Sequence, residues 1–375
     1  MKSDKTTPNV PTLRFSNKTI WEKKRIKDFC EVNPKTEELE DEFIYIDLES
    51  VSKGCLLSKN IISKTNAPSR AQRVLTNNDI LFQCVRPYQM NNLLFNAENT
   101  DFQYVASTGY AQIRTQENPS FVYHLLHSPN FNKEVMLRCT GSSYPAITSS
   151  DLGDIEVYIC GVGEQQKIGH FLDLIDRRIA VQNKIISKYE TLIKGLCDMI
   201  FPSIEGSILP LKAIVSIEKG QQINGMSLAK TGKYYYLNGG IAPSGYIDDY
   251  NTSEETISIS EGGNSCGFVS YNLQKFWSGG HCYTLKIMAE QCRSKYLFFY
   301  LKYKEKDIMQ LRVGSGLPNI QKKSLENFNV KLPNYKKQCF VERVFEVVTA
   351  KKEIENALLE RFQSQKKFLL SKMFI

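Results

Sequence analysis

At 375 residues the chain has room for two or three domains, each able to bury its own core, and 42% hydrophobic with 23% charged residues is the composition of a globular protein. No apolar run approaches a membrane span, and the first residues, MKSDKTTPNVPTLRF, hold no signal-peptide core, so neither a membrane nor a secreted protein is expected. The net charge of +8 is uneven: residues 1–160 carry 18 Lys+Arg against 19 Asp+Glu, residues 206–335 carry 15 against 10, and residues 336–375 carry 9 against 5, so bulk charge points to a polyanionic partner only in the second half.

Residues 1–19 are polar, with Pro8 and Pro11, and read as a flexible N-terminal arm. A first domain is expected over 20–160. After an acidic, solvated run (Glu37, Glu38, Glu40, Asp41, Glu42), residues 43–48 (FIYIDL) read as a buried strand. The counterpart in the second half is residues 234–238 (YYYLN), and at the same shift of 191 Gly54 matches Gly245. Next, Arg70, Gln72, Arg73, Arg86 and Tyr88 gather on turn-rich backbone. Arginine forks match guanine edges or phosphates, and Gln pairs bidentately with adenine; the competing reading has these arginines bridging acidic neighbours or capping loops. Gly/Ser turns at Ser107-Thr108-Gly109 and Gly141-Ser142-Ser143-Tyr144 offer backbone N–H groups to phosphate, or are ordinary tight turns.

Residues 141–201 match residues 314–374 without a gap at a shift of 173, with 11 of 61 positions identical. The identities include Gly141/Gly314, Pro145/Pro318, Ile147/Ile320, Leu152/Leu325, Gln165/Gln338 and Asn183/Asn356, so the chain is built twice. In each copy a Gly-Ser loop leads through a short strand into a long helix. Ile168, Leu172, Ile175, Ile179, Ile186, Tyr189 and Ile193 alternate four and three apart, the seam of a coiled coil, with polar Gln182 at the central position. The second copy keeps Val341, Phe345, Val348, Leu359 and Phe362 but places Lys352, Glu355 and Lys366 in the seam. Helices with so narrow an apolar stripe are unstable alone and should pack together. Antiparallel packing with ends aligned sets Gln182 near Glu355.

The spacer helix and linker span 161–205, a second domain 206–335, and the C-terminal helix 336–375. The second domain's candidate ligand-facing residues are Lys219, Gln222, Lys230, Lys233, Glu261, Gly262, Gly263, Trp277, His281 and Ser315. Its glycine pairs, beside Lys and aromatic residues, suit close approach of a ligand to the backbone. The fold expected is α+β: two mixed α/β domains related by internal duplication, separated and joined by two long helices that form an antiparallel coiled coil.

Catalytic signatures are missing. There is no [DNS]PP[YFW] loop, P-loop or HExxH, and the ten cysteines are scattered without a CxxC pair or a histidine at metal spacing, which favours free thiols in a reducing cytoplasm over zinc or disulfides. No catalytic and no metal-binding residue is assigned. A recognition protein or a protein-binding scaffold built on the coiled coil fits this pattern.

The residues at 45–48 (YIDL), 67–73 (APSRAQR), 85–88 (VRPY), 107–109 (STG) and 141–145 (GSSYP) together resemble the first target recognition domain of type I restriction-modification specificity subunits. Residues 163–168 (GEQQKI) are similar to that family's spacer start. Residues 261–263 (EGG), 276–277 (FW), 281–282 (HC) and 314–320 resemble another target recognition domain subtype. The resemblance implies a non-enzymatic subunit of a bacterial or archaeal cytoplasmic complex. Each domain would read one half of a bipartite, asymmetric double-stranded DNA site, and the coiled coil would set the spacing. Two modification subunits that methylate adenine with S-adenosylmethionine would dock on the chain, and restriction subunits using ATP and Mg2+ would join. No cofactor is expected on this chain itself.

Overall fold

The computed structural model describes residues 10–97, 101–225, 228–314 and 316–375. The chain divides into two compact units: the residues up to Asn183 together with Ala357–Ile375, and Lys184–Asn356. The division therefore falls inside both long helices, Val162–Ser203 and Tyr335–Met373. Spacers read as separate segments are in fact shared out, because their apolar ends complete the two domain cores.

In the first unit, one four-stranded sheet runs in the order Asn60–Ser63, Glu42–Ile46, Gln103–Ser107, Ala71–Val74, its two middle strands parallel. A second runs Cys30–Val32, Tyr110–Thr115, Ile80–Gln83, Leu93–Leu94. Trp21–Arg25 pairs antiparallel with Glu156–Cys160, closing the domain start against its end. Two short helices follow the sheets, Pro119–Leu125 and Pro129–Arg138. Each begins at a cap that the sequence spells out: Asn118 Oδ1 accepts from Phe121 N–H at 2.9 Å and Ser128 Oγ from Phe131 N–H at 3.3 Å, with proline at the first helical position. Their apolar faces enter a core that also takes Ile168, Leu172 and Ile175 from the central helix and Leu369, Leu370, Met373 and Phe374 from the C-terminal helix.

The second unit repeats the scheme. Its sheets run Val215–Lys219, Cys282–Ile287, Thr256–Ser260, Val269–Asn272, and Gly245–Ile247, Tyr234–Leu237, Phe276–Ser278, again with one parallel pair. Ser207–Pro210 pairs with Asn329–Leu332, as the terminal strands do in the first unit. The core takes Val341 and Phe345 from the start of the C-terminal helix and Phe201 from the end of the central one. Phe201 stacks on Phe345, ring centroids 5.6 Å apart.

The identical Gln165 and Gln338 explain why the repeat was kept. Both are fully buried. Gln165 Nε2 donates to the Cys160 carbonyl (2.7 Å) and to Glu117 (2.9 Å), while Oε1 accepts from Asn118 N–H (3.1 Å). Gln338 Nε2 donates to the carbonyls of Pro333 (2.9 Å) and Gln291 (2.8 Å), and Oε1 accepts from Arg293 N–H (2.9 Å). Each amide ties the end of the last strand of its domain to the residue that caps the helix following the sheets, Pro119–Leu125 in one unit and Ser294–Tyr303 in the other, satisfying backbone groups that burial would otherwise strand.

Within each unit the two long helices run antiparallel. In the first, Lys366 pairs with Asp176 at 2.5 Å and Arg178 lies over the Phe362 ring. In the second, Lys352 pairs with Glu190 at 2.8 Å. Two of the three charged seam positions of the C-terminal helix are thus matched by acids on the central helix. The positions assigned to the seam are buried or half-buried throughout: Ile168, Leu172, Ile175, Gln182, Val341 and Phe345 are buried, and Ile179, Ile186, Tyr189, Ile193, Val348, Glu355, Leu359 and Phe362 are half-buried.

Two expectations are corrected. The N-terminal arm is not loose over its described part: Leu13 N–H bonds the Lys372 carbonyl (2.9 Å), Phe15 N–H bonds Glu164 (2.6 Å), and Phe15 packs edge-on against Phe171. Residues 1–9 lie outside the described residues. Gly54 and Gly245 are not equivalent either. Gly54 turns the Val51–Ser52/Cys55–Leu56 hairpin, whereas Gly245 starts the strand that flanks the parallel pair, the place Asn60–Ser63 holds in the first unit. Only the strand itself was matched by that shift.

Candidate nucleic-acid interface

In the first unit, backbone bonds stitch four loop segments together. Thr108 N–H donates to Arg70 O (2.9 Å), Cys84 N–H to Gly109 O (3.0 Å), Ile147 N–H to Cys84 O (3.1 Å) and Arg86 N–H to Pro145 O (2.8 Å). Residues 70, 86, 108 and 141–145 come from distant parts of the chain and meet here. Gly141, at φ +88°, turns the 140–146 loop, whose ends bridge at Thr140 and Ala146. Buried Gln83 shapes the 83–91 loop: Nε2 donates to Val85 O and Gln89 Oε1, both at 2.8 Å, and Oε1 accepts from Asn91 N–H.

The candidate residues separate by what their side chains already do. Arg73 is half-buried, its Nε donating to Tyr110 O at 2.9 Å, and burial pushes its pKa below the ordinary arginine range. Ser107 is buried, and its Oγ accepts from Gly109 N–H. Both serve the fold of the loop cluster. Gln72 donates to Ser69 O. Arg70, Ser142 and Ser143 are exposed, as are Tyr88 and Tyr144, and Arg86 lies with its guanidinium carbon 4.4 Å from the Tyr144 ring centroid.

The second unit presents a cleft of about 490 Å3 lined by Lys219, Asn238, Glu261, Gly263, His281 and Asn319 among others. Glu261 is buried at its base. Lys219 Nζ (2.6 Å) and the Tyr283 hydroxyl (3.1 Å) both donate to Oε1, and His281 Nδ1 lies 3.6 Å from Oε2. Tyr283 was missed in the sequence because it sits inside a strand and reads as core. Lys230 and Lys233 are exposed, Lys233 over the Tyr234 ring. Trp277 Nε1 donates to Gln221 O, and Gln222 donates to Ile223 O. Ser315 lies outside the described residues.

The glycine pairs correct the expectation of a ligand's approach. A Cβ on Gly220 would sit 2.3 Å from Gly279 O, on Gly239 2.6 Å from His281 O, and on Gly279 2.5 Å from Asn238 Oδ1. The space is already filled by this chain's own loops. Gly263 alone of this set opens outward, with nothing within 4 Å of such a Cβ.

Among the described residues no group of three or more His, Cys, Asp or Glu side chains is placed to hold a metal ion, and all ten cysteines are free thiols. No described helix is long and apolar enough to cross a membrane. What the geometry offers is two loop clusters rich in hydrogen-bond donors, one on each of two similarly built domains.

Comparison with known proteins places this architecture. A putative type I specificity subunit of Mycoplasma pneumoniae is 33% identical over 123 residues, which is 32% of each chain, and one of Mycoplasma genitalium is 29% identical over 129 residues, 34% of this chain and 33% of that one. The alignable stretch is thus about a third of these curated relatives. In fold, the crystal structure of the type I restriction-modification system S subunit from M. genitalium superposes with a TM-score of 0.69 at 20% identity, over 98% of this chain and 99% of that one. A chain from a study of assembly and conformational transition in the type I R-M system gives 0.56, also at 20% identity, over 93% and 96%. The family model for the type I restriction modification DNA specificity domain matches twice, over residues 19–191 and 208–363, and the chain belongs to that family of specificity subunits.

Proposed function

We propose that this chain is the DNA-reading subunit of a type I restriction-modification complex, each unit reading one half of a bipartite, asymmetric site. The observation that carries the reading is the pair of homologous domains whose frameworks agree while their reading loops differ. Arg70, Arg86, Tyr88 and Tyr144 stand in one, and Lys230, Lys233, Gly263 and His281 in the other. Half-sites read by different side chains differ in sequence. The 42-residue central helix, about 63 Å long at 1.5 Å per residue, contributes to both units and acts as the spacer that sets the separation of the half-sites. Buried Gln182 fixes its register, as a polar residue in an apolar seam does.

The long helices also support the docking of two identical partners. Besides the buried seam, each copy keeps exposed apolar residues at matching places: Val162 and Tyr335, Leu174 and Val347, Val181 and Ile354, with exposures from 46% to 66%. Each pair is related by the repeat's shift of 173, and the last two follow each other by seven residues in each helix. Leu174 with Val181, and Val347 with Ile354, therefore share one face of their helix, an exposed apolar surface that suits a partner helix. The partners are modification subunits, which bring S-adenosylmethionine and the catalytic site; restriction subunits bring ATP and Mg2+.

The test is to map methylated adenines in a methylation-free host that carries the complete system. A two-part asymmetric motif that disappears when this chain is deleted is expected. A contiguous palindrome, or a motif independent of this chain, contradicts the proposal.

A further inference from the structure

The two domains share one slot that they fill differently. In the first, Arg86 N–H bonds Pro145 O (2.8 Å), Val85 bridges Ala146, and Ile147 N–H bonds Cys84 O. In the second, Gly263 N–H bonds Pro318 O (3.0 Å), Gly262 bridges Asn319, and Ile320 N–H bonds Glu261 O. Cys84 and Glu261 in turn donate their N–H groups to Gly109 O and His281 O, at the start of equivalent strands. Arg86 and Gly263 therefore occupy the same position, and both have left-handed backbone, φ +54° and +76°. The framework demands that conformation, which disfavours any side chain with a Cβ, and glycine meets the demand freely. Strain of this kind persists where a side chain is held for use.

The Arg86 side chain contributes nothing to the fold that would repay it. Arg114 grips Asp79 with two bonds of 2.8 Å, Arg293 pairs with Glu342, and Arg73 donates to Tyr110 O. The Arg86 guanidinium meets no acceptor among the described residues and rests only on exposed Tyr144. The contact with the Tyr144 ring places the fork and leaves its N–H groups free of acceptors among the described residues. A free fork pairs bidentately with O6 and N7 of guanine or with phosphate oxygens, and its place on a loop where the equivalent position of the other domain is glycine favours the base, since a phosphate contact would serve both half-sites alike.

We infer that Arg86, oriented by Tyr144, reads a guanine in the half-site of the first domain, and that Gly263 leaves the corresponding step of the other half-site without a side-chain reader. The inference rests on the proposed function above, and Tyr144 is a positioning residue in it.

Arg86→Gly and Arg86→Lys test it in the complex with the modification subunits. Arg86→Gly relieves the backbone, so the variant folds, and Arg86→Lys keeps the charge while losing the fork. Methylated sites are mapped for wild type and both variants. Equilibrium binding is measured to the wild-type duplex, to duplexes with each specified pair changed, and to a scrambled one. Both variants are expected to lose at least tenfold discrimination at one G·C pair, with the other half-site and the spacing unchanged. Tyr144→Ala should weaken discrimination at that same pair. Two results overturn the inference alone: a wild-type two-part site whose every position Arg86→Lys still specifies, or equal loss of affinity for cognate and scrambled DNA with Arg86→Gly. A wild-type complex with no two-part site instead overturns the reading beneath it.

Discussion

Replacing Gln165 with leucine tests whether the duplicated amide locks each unit. Leucine keeps the shape but strands two backbone groups, the Cys160 carbonyl and the Asn118 N–H. A buried backbone group without a partner costs about 1–3 kcal/mol, so the gross loss is about 2–6 kcal/mol. Greater apolar burial by leucine returns about 1 kcal/mol, leaving a net loss of about 1–5 kcal/mol. For a unit of this size that lowers the melting temperature by about 2–20 °C. The assay is calorimetry on the full chain, with hydrogen exchange to locate the effect. Protection should fall in the strands Trp21–Arg25 and Glu156–Cys160 and hold in Ser207–Pro210 and Asn329–Leu332. Gln338→Leu should invert that pattern. A melting shift below about 2 °C, less than 1 kcal/mol for a unit this large, or equal loss of protection in both units, refutes the reasoning.

Arg70→Ala should leave stability within about 0.5 kcal/mol of wild type while weakening DNA binding, whereas Arg73→Ala should cost about 1 kcal/mol through its lost bond to Tyr110 O, as thermal melts would register. Leu174→Glu with Val181→Glu, or Val347→Glu with Ile354→Glu, should each remove one modification subunit without changing the melting temperature of the chain; native mass spectrometry counts the subunits, and unchanged stoichiometry counts against these exposed apolar faces as docking surfaces. His127 is packed on Tyr123, its Nδ1 2.8 Å from Tyr123 O, and burial pushes its pKa down to about 4. Its folded value lies below the unfolded one, so the unfolded state takes up the proton first and stability is lost as pH falls from 6.5 toward 4. Between pH 7 and 5 the loss is on the order of 1–2 kcal/mol, and His127→Gln should flatten it in urea titrations.

The long-range repeat was legible because its fixed points are places where only one residue type works: a left-handed glycine at 141 and 314, and a buried amide at 165 and 338. The long helices were legible from their period. What the sequence hid were roles decided by tertiary neighbours. Arg73 looks like Arg70 in sequence, yet only Arg73 lies within reach of a buried carbonyl. Gly220, Gly239 and Gly279 suggest a ligand's approach until the chain's own loops are seen in that space. Lys352 and Lys366 look like breaks in a seam until Glu190 and Asp176 are found beside them. The shared slot of Arg86 and Gly263 lies outside the stretch that aligns, so only the hydrogen bonds reveal it.

The central claim, one domain for each half-site, is tested most directly by exchanging residues 206–335 for the same region of another family member of known specificity and mapping methylated adenines. The account predicts that one half of the motif changes to the donor's while the other half and the spacing stay as in wild type. A change in both halves, or in neither, contradicts it.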